Sequence, residues 1–158
     1  MALLLKSLLF AAIVPGTVAV YVPILMTRNS CLASDPEVAF AVAVLAAGGA
    51  VYVSCAWDFA THGRGTPLPI DAPKKLVVRG LYRYTRNPMY VGVLTVILGW
   101  AILFRTVALV VYGLMVATCF HLFIVFYEEP HLRREFGREY EQYRTRVGRW
   151  LPRLRRAD

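Results

Sequence analysis

Apolar residues gather in four long stretches along the chain, at residues 3–26, 38–60, 89–104 and 106–127. Most of these stretches are close to the ~20 apolar residues that a helix needs to cross the hydrocarbon core of a bilayer. We therefore predict an all-α, polytopic membrane protein with about four transmembrane helices. The pattern divides this single membrane domain, residues 1–158, into an N-terminal helix pair (1–61), a loop (62–88), a helical hairpin (89–127) and a C-terminal helix and tail (128–158).

The first apolar stretch differs from a secretory signal peptide. Its apolar run is too long, Lys6 lies within it, and no clear small-residue cleavage site follows. We expect a retained helix that is interrupted at Pro15 and Pro23.

A second periodic pattern follows the last apolar stretch. Large apolar side chains recur there at spacings of four and three, which predicts an amphipathic helix. They are Leu132, Phe136, Tyr140, Tyr143, Val147 and Leu151. Two interpretations stay open: the helix lies on the membrane surface and does nothing else, or it also closes a site over the hairpin.

Composition strengthens the membrane interpretation. The chain is 58% hydrophobic and has a mean hydropathy of +0.51, which exceeds what a soluble domain of this length carries. The net charge is +8, and 16 of the 18 Lys and Arg residues fall at the N-terminus, in the loop 62–88 or after the last apolar stretch. Positive residues favour the cytoplasmic side. We therefore predict cytoplasmic termini and a cytoplasmic loop, with anionic lipid headgroups as partners and no role for nucleic acid.

The thiols and imidazoles do not suggest a metal site. Cys31, Cys55 and Cys119 lack metal-ligand spacing, and His62 and His131 stand apart from each other. No phosphate-binding glycine loop is present either. We therefore expect no metal and no α/β-type nucleotide site.

A polar cluster stands where the loop 62–88 meets the third apolar stretch. Asn87 and Pro88 suit the N-cap and first position of a helix. The free N–H groups of that helix start would lie beside Arg86, an arrangement that favours a carboxylate or phosphate ligand. The loop itself is rich in glycine and proline but also in aliphatic and aromatic residues, so we expect an ordered binding loop.

Two adjacent carboxylates, Glu128 and Glu129, end the last apolar stretch. A helix C-terminus disfavours negative charge and the bilayer border makes an unpaired charge costly. The pair therefore requires cationic or hydroxyl partners, either in a structural salt-bridge cluster or in a ligand site with both charge signs. His121 lies two helical turns earlier and is a further candidate. Gly92 and Gly99 share a helix face that permits close approach of a helix or ligand.

Two motifs together resemble one known family. LVVRGLYRYTRNPMYVG is followed, after one hairpin, by EEPHLRREFGREYEQYRTRVGRWLPR. This pattern is similar to the R-H-P-x-Y-x-G, E-E and F-G-x-x-Y-x-x-Y motifs of the isoprenylcysteine carboxyl methyltransferase and phospholipid methyltransferase superfamily. The match covers about residues 76–152.

The resemblance implies an integral membrane methyltransferase that uses S-adenosylmethionine and a lipid or lipid-like acceptor. Arg86 and Glu129 are the expected catalytic residues. Together with His121, taken from the residues alone, the matched positions give the expected cofactor-binding residues. These are Val78, Gly80, Tyr82, Asn87, Pro88, Tyr90, Gly92, His121, Glu128, Tyr140 and Tyr143.

Asn87 departs from the family pattern, in which the best-known members have histidine. An amide donates and accepts hydrogen bonds but does not titrate near neutral pH, so a cofactor-binding or capping role is favoured over that of a general base. Two other functions remain as alternatives. One is an NADPH-dependent membrane reductase related to sterol reductases, and the other is a membrane scaffold without catalytic activity.

Overall fold

The computed structural model describes residues 13–28, 30–59, 61 and 76–153. Within these ranges the regular elements are helical, and the only β-type contact is an isolated bridge between Thr85 and Gly148. The helices are α1 (Ile13–Thr27), α2 (Asp35–Asp58), a short 3-10 helix (Gly80–Arg83), α3 (Pro88–Phe104), α4 (Val107–Phe123) and α5 (Glu129–Arg146). The predicted all-helical fold is thus confirmed for the described residues. Lys6, His62 and most of the predicted loop, residues 62–75, lie outside them.

A π-helical segment, Ile124–Glu128, joins α4 to α5 without a break in the helix. The combined segment, Val107–Arg146, has 40 residues, but Gly137 interrupts its helical backbone, so the unbroken part, residues 107–136, is about 45 Å long at 1.5 Å per residue. That is still longer than the ~30 Å thickness of a bilayer core. Only its apolar part, up to residue 127, suits a membrane, and the charged part that begins at Glu128 extends beyond it.

Two of the described helices are long and apolar enough to cross a membrane. They are Asp35–Asp58, with a mean hydropathy of 2.1, and Val107–Arg146, with 2.3. Only 17% and 11% of their most apolar windows are buried within the protein, so their apolar side chains point outwards, unlike those of a soluble core helix. Ile13–Thr27 and Pro88–Phe104 are apolar but shorter. The described residues therefore support two candidate spans, and the other two of the predicted four stay a prediction.

Glycines bring α2 and α3 into backbone contact. A Cβ at Gly92 would stand 3.0 Å from the carbonyl oxygen of Gly48, and one at Gly99 would stand 2.7 Å from Cγ of Leu45. Larger residues at either position would force the two helices apart. The predicted close approach at Gly92 and Gly99 is to another helix.

Most of the predicted apolar stripe of the C-terminal segment packs into one cluster, which also includes Leu76. Tyr140, Tyr143 and Val147 are buried in one cluster, with Leu76, Leu132 and Phe136 packed on it. Leu151 is 77% exposed and stands apart. Gly137, at φ +49°, interrupts the helical backbone of α5, so the stripe does not lie on one regular helix face. The cluster fixes α5 beside the start of α3, where the polar residues meet.

Candidate functional site

Glu129 is the centre of a buried ion cluster at the junction of α4 and α5. Glu129 is only 6% exposed. Arg149 holds both carboxylate oxygens, with Nε 2.7 Å from Oε1 and Nη2 3.0 Å from Oε2. Arg86 adds a third contact, from Nη1 to Oε1 at 3.0 Å. Two guanidinium groups thus share one carboxylate, and the fork geometry of arginine matches it on both oxygens.

Glu128, one residue earlier, has a neutral partner. The hydroxyl of Tyr90 donates a hydrogen bond to its Oε2 at 2.9 Å. The ring of Tyr90 packs against Phe120, with centroids 4.6 Å apart. This contact joins the first turn of α3 to the end of α4, and no arginine of the described chain pairs with Glu128.

These different partners shift the pKa values of the two carboxyl groups in opposite directions. Burial raises the pKa of Glu128 above the ordinary value of 4.5, and the hydrogen bond from Tyr90 compensates only in part. Burial also opposes ionisation of Glu129, but the hydrogen bond from Arg149 and the charge of Arg86 outweigh it, so the pKa of Glu129 lies below 4.5. Neighbouring carboxyl groups with separated pKa values can take different chemical roles.

Arg86 also ties the site to α5. Its Nη1 donates to the hydroxyl of Tyr140 at 3.2 Å, and Tyr140 is only 2% exposed. One turn further, the hydroxyl of Tyr143 donates to the carbonyl oxygen of Tyr82 at 2.7 Å. Both tyrosines therefore anchor the segment that leads into α3, which is a positioning role.

Residues 147–153, hereafter the C-terminal strap, fold back over the start of α3. The main-chain N–H of Arg86 donates to the carbonyl of Gly148 at 2.9 Å. The carbonyl of Arg149 accepts two hydrogen bonds of 3.0 Å, from Oγ1 of Thr85 and from Nδ2 of Asn87. Asn87 therefore fixes the main chain of the residue whose side chain holds Glu129.

Asn87 occupies the predicted N-cap position and Pro88 begins the helix, as expected from the sequence. The side chain of Asn87 makes no capping hydrogen bond, however. It is 5% exposed and turned towards the strap instead. The acceptor in the strap is the carbonyl of Arg149, 62 residues after Asn87 in the sequence. The side chain of Asn87 therefore does not cap the first N–H groups of α3.

The other predicted residues lie at varying distances from Glu129. Gly80, at φ +54°, adopts a conformation that favours glycine, and the carboxylate of Asp58 lies where a Cβ would be. Val78 is 43% exposed, and Gly92 lies in the contact between α2 and α3. His121 accepts a hydrogen bond from Nε1 of Trp150 at 3.2 Å. Their assignment to cofactor binding stays a prediction.

Sequence reasoning left three residues of this site unassigned: Thr85, Arg149 and Trp150. The sequence did predict cationic or hydroxyl partners for the glutamate pair, and Arg149, which lies just after α5, is one of them. Its position in the run of arginines 144, 146, 149 and 153 was the available signal. Nothing in a residue pattern marks a main-chain acceptor such as the carbonyl of Arg149.

The fold and the site together define a helical membrane protein. Its buried polar site contains both cations and carboxylates and lies at the end of the apolar helices. Within the described residues no cluster of three His, Cys, Asp or Glu suits a metal ion. Comparison with known proteins names the family. The family model for phospholipid methyltransferases matches residues 36–139, about two thirds of the chain, and the chain belongs to this family.

Curated relatives agree with this assignment. Two rice proteins, from Oryza sativa subsp. indica and subsp. japonica, are each named "Probable protein-S-isoprenylcysteine O-methyltransferase" and are 37% identical over 78 residues. The alignment covers 49% of this chain and 41% of each relative. The chain thus spans less than half the length of the curated relatives that it matches. The predicted resemblance to this superfamily is confirmed.

Proposed function

We propose that this chain transfers a methyl group from S-adenosylmethionine to a lipid-like acceptor within the membrane. The family and the names of the rice relatives support methyl transfer and an acceptor with a lipid part. The observation that carries the proposal is the glutamate pair at the membrane border. One carboxylate is held by two arginines and its neighbour by a neutral phenol, so the site offers cations, a hydroxyl and a carboxylate together.

The described residues fit this cofactor by their chemistry. S-adenosylmethionine carries a carboxylate, an ammonium group, ribose hydroxyls and a sulfonium. Arg86 has a buried Nε without a hydrogen-bond partner in the described part of the protein, which suits a ligand oxygen. Glu128 has no ion-pair partner among the described residues and would accept hydrogen bonds from hydroxyl or ammonium groups. When bound, the cofactor supplies an activated methyl group.

The residues of the chain would contribute orientation and desolvation rather than covalent chemistry. Glu129 stays ionised between two guanidinium groups and keeps Arg86 in one geometry. Arg86 would then orient a carboxylate of the acceptor or of the cofactor. Glu128, whose carboxyl has the raised pKa, is the better proton acceptor of the two and would serve an acceptor that loses a proton.

The proposal includes the membrane arrangement predicted from the sequence. Four spans would place both termini, the loop 62–88 and the glutamate pair on the cytoplasmic side. The concentration of 16 of 18 Lys and Arg residues in these segments supports this orientation and contact with anionic headgroups. The acceptor would then reach the site laterally from the bilayer.

The test is transfer of a labelled methyl group from S-adenosylmethionine to membrane lipid extracts by the purified chain in detergent. We expect Glu129→Gln and Arg86→Ala to lose at least about 100-fold of the transfer rate, the order of effect of a lost electrostatic contact in a preorganised site. Glu139→Gln and Arg138→Ala are matched controls, since both residues are exposed and have no polar partner among the described residues. Undiminished transfer by both site variants would contradict the assigned roles, and binding of NADPH without binding of S-adenosylmethionine would contradict the proposed reaction.

A further inference from the structure

A polar cleft opens beside the C-terminal strap, next to Arg86 and the end of α5. Its volume is about 430 Å³, within the range of small-ligand sites. The lining residues, hereafter the arginine cleft, are Arg86, Arg144, Thr145, Gly148, Arg149 and Arg153. Four of these six residues are arginines, and none is acidic.

The carboxylates around the arginine cleft do not balance its cations. Glu129 is shared by Arg86 and Arg149. Glu141 is likewise shared by Arg144 and by Arg133, which lies outside the cleft. Among the described residues, the four arginines of the cleft therefore meet these two carboxylates, an excess of two positive charges.

Arg153 has no acidic partner in this part of the chain. Its Nη1 donates to the main-chain carbonyl of Thr145, so its charge is not compensated there. Arg86 differs from Arg153 in having an acidic partner, and its side chain is only 9% exposed. Its buried Nε nevertheless has no hydrogen-bond partner among the described residues. A buried donor without a partner and several uncompensated cations in one concave surface both call for an anion.

The shape of the cationic groups favours a phosphate. Guanidinium groups bind planar or tetrahedral oxyanions through paired N–H donors, whereas a single carboxylate satisfies one or two of them. Two excess charges exceed what one carboxylate compensates, and a phosphate monoester carries close to two negative charges at neutral pH. The open, polar cleft does not suit an acyl chain.

We propose that the arginine cleft is a phosphate-binding site, which takes either the headgroup phosphate of an anionic lipid or free phosphate. The site would extend beyond the ion cluster, because Arg144 and Arg153 contact neither Glu128 nor Glu129. Arg86 and Arg149 belong both to the cleft and to the ion cluster, so a bound phosphate would lie next to the carboxylate pair. A lipid held there by its headgroup would have its acyl chains towards the membrane and would orient the protein on the cytoplasmic leaflet.

The test uses the full chain in detergent and measures binding by native mass spectrometry. The lipid probe is dioctanoyl phosphatidic acid, and the matched lipid without phosphate is dioctanoylglycerol. Inorganic phosphate, measured by calorimetry, is the soluble probe. We expect phosphatidic acid to bind and dioctanoylglycerol not to bind, and the double variant Arg144→Gln, Arg153→Gln to weaken phosphatidic acid binding by at least about tenfold, since each lost bond involves a charged donor.

The control is Arg134→Gln, Arg138→Gln, which removes two positive charges from exposed positions of the same helix outside the cleft. This variant should bind as the unmodified chain does. Competition by millimolar inorganic phosphate would identify free phosphate as a ligand, and its absence would restrict the site to lipid headgroups.

Equal weakening by the cleft variant and by the control would overturn the proposal, because it would reduce binding to general surface charge. Binding of dioctanoylglycerol as tight as that of phosphatidic acid would overturn it as well. If a lowered melting temperature shows that the double variant is damaged, the single variant Arg153→Gln replaces it, because the one hydrogen bond of that side chain within the described residues is to a main-chain carbonyl. None of these readouts depends on methyl transfer, so failure of the site and failure of the proposed reaction remain separate results.

Discussion

Glu128 and Glu129 are sequence neighbours, but their side chains enter opposite surroundings. Successive residues of a helix point about 100° apart, so Glu128 meets Tyr90 of α3 while Glu129 meets Arg86 and the C-terminal strap. One carboxyl is desolvated beside a phenol and its pKa rises. Its neighbour is desolvated beside two cations and its pKa falls. Burial alone therefore does not determine the charge of a carboxyl group; its partners do.

The largest effect is expected when Glu129 loses its charge. Glu129→Gln leaves Arg86 buried without a counter-ion and should lower the free energy of unfolding by about 3–5 kcal/mol, as for one lost partner of a buried ion pair. The readout is the apparent melting temperature in detergent. Glu139→Gln, an exposed substitution of the same kind, should leave it unchanged. Equal melting temperatures of the two variants would show that the ion cluster contributes no net stability.

A smaller effect is expected on the side of Glu128. Tyr90→Phe removes the O–H donor and leaves a desolvated carboxylate oxygen, at a cost of about 1–3 kcal/mol. The lost bond lowered the pKa of Glu128, so this pKa should rise further. Destabilisation should then shrink as the pH falls and Glu128 takes up a proton. Tyr84→Phe, at a ring that is 61% exposed, is the control, and a loss that does not depend on pH would contradict this account.

The contribution of Asn87 should be smaller again. Asn87→Ala removes one of two donors to the carbonyl of Arg149, and Thr85 still provides the other. We expect a loss of about 1 kcal/mol and faster hydrogen exchange of the amides in residues 147–153. Thr85→Val should have a similar effect, and the double substitution should exceed the sum of the two. Faster exchange confined to the first turn of α3 would instead assign Asn87 a capping role.

The helices on either side of this site were predictable from the sequence. Pro88 begins α3 and the hairpin turns at Arg105, since proline suits a helix start and long apolar runs need helical hydrogen bonding. The glutamate pair was identifiable because charge at the border of an apolar run requires a partner. Two of the four predicted spans stay a prediction, since apolar periodicity does not fix where a helix stops, and α1 and α3 are short.

The partners of the glutamates could not be assigned in the same way. Arg149 reaches Glu129 only because Thr85 and Asn87 hold its main chain, and these contacts join residues more than 60 positions apart. The role of Asn87 was open for the same reason: a helix start predicts a cap, while the strap competes for its amide. Such long-range main-chain acceptors leave no mark in hydrophobic periodicity or motif spacing.

The smallest expected change in stability is a gain, whereas the three substitutions above lower stability. The raised pKa of Glu128 means that its ionised form is less stable in the folded than in the unfolded chain, so this group lowers stability at neutral pH. The penalty disappears as the pH falls towards 4.5. Glu128→Gln keeps an acceptor for Tyr90 and should therefore raise the melting temperature at pH 7.

The lowered pKa of Glu129 has the reverse effect on stability, a stabilisation that is present above pH 4.5 and lost as the pH falls through the folded pKa of Glu129. Melting curves of both Gln variants against pH should start on opposite sides of the unmodified chain at pH 7 and converge with it in acid; two curves on the same side would remove the distinction between the carboxylates.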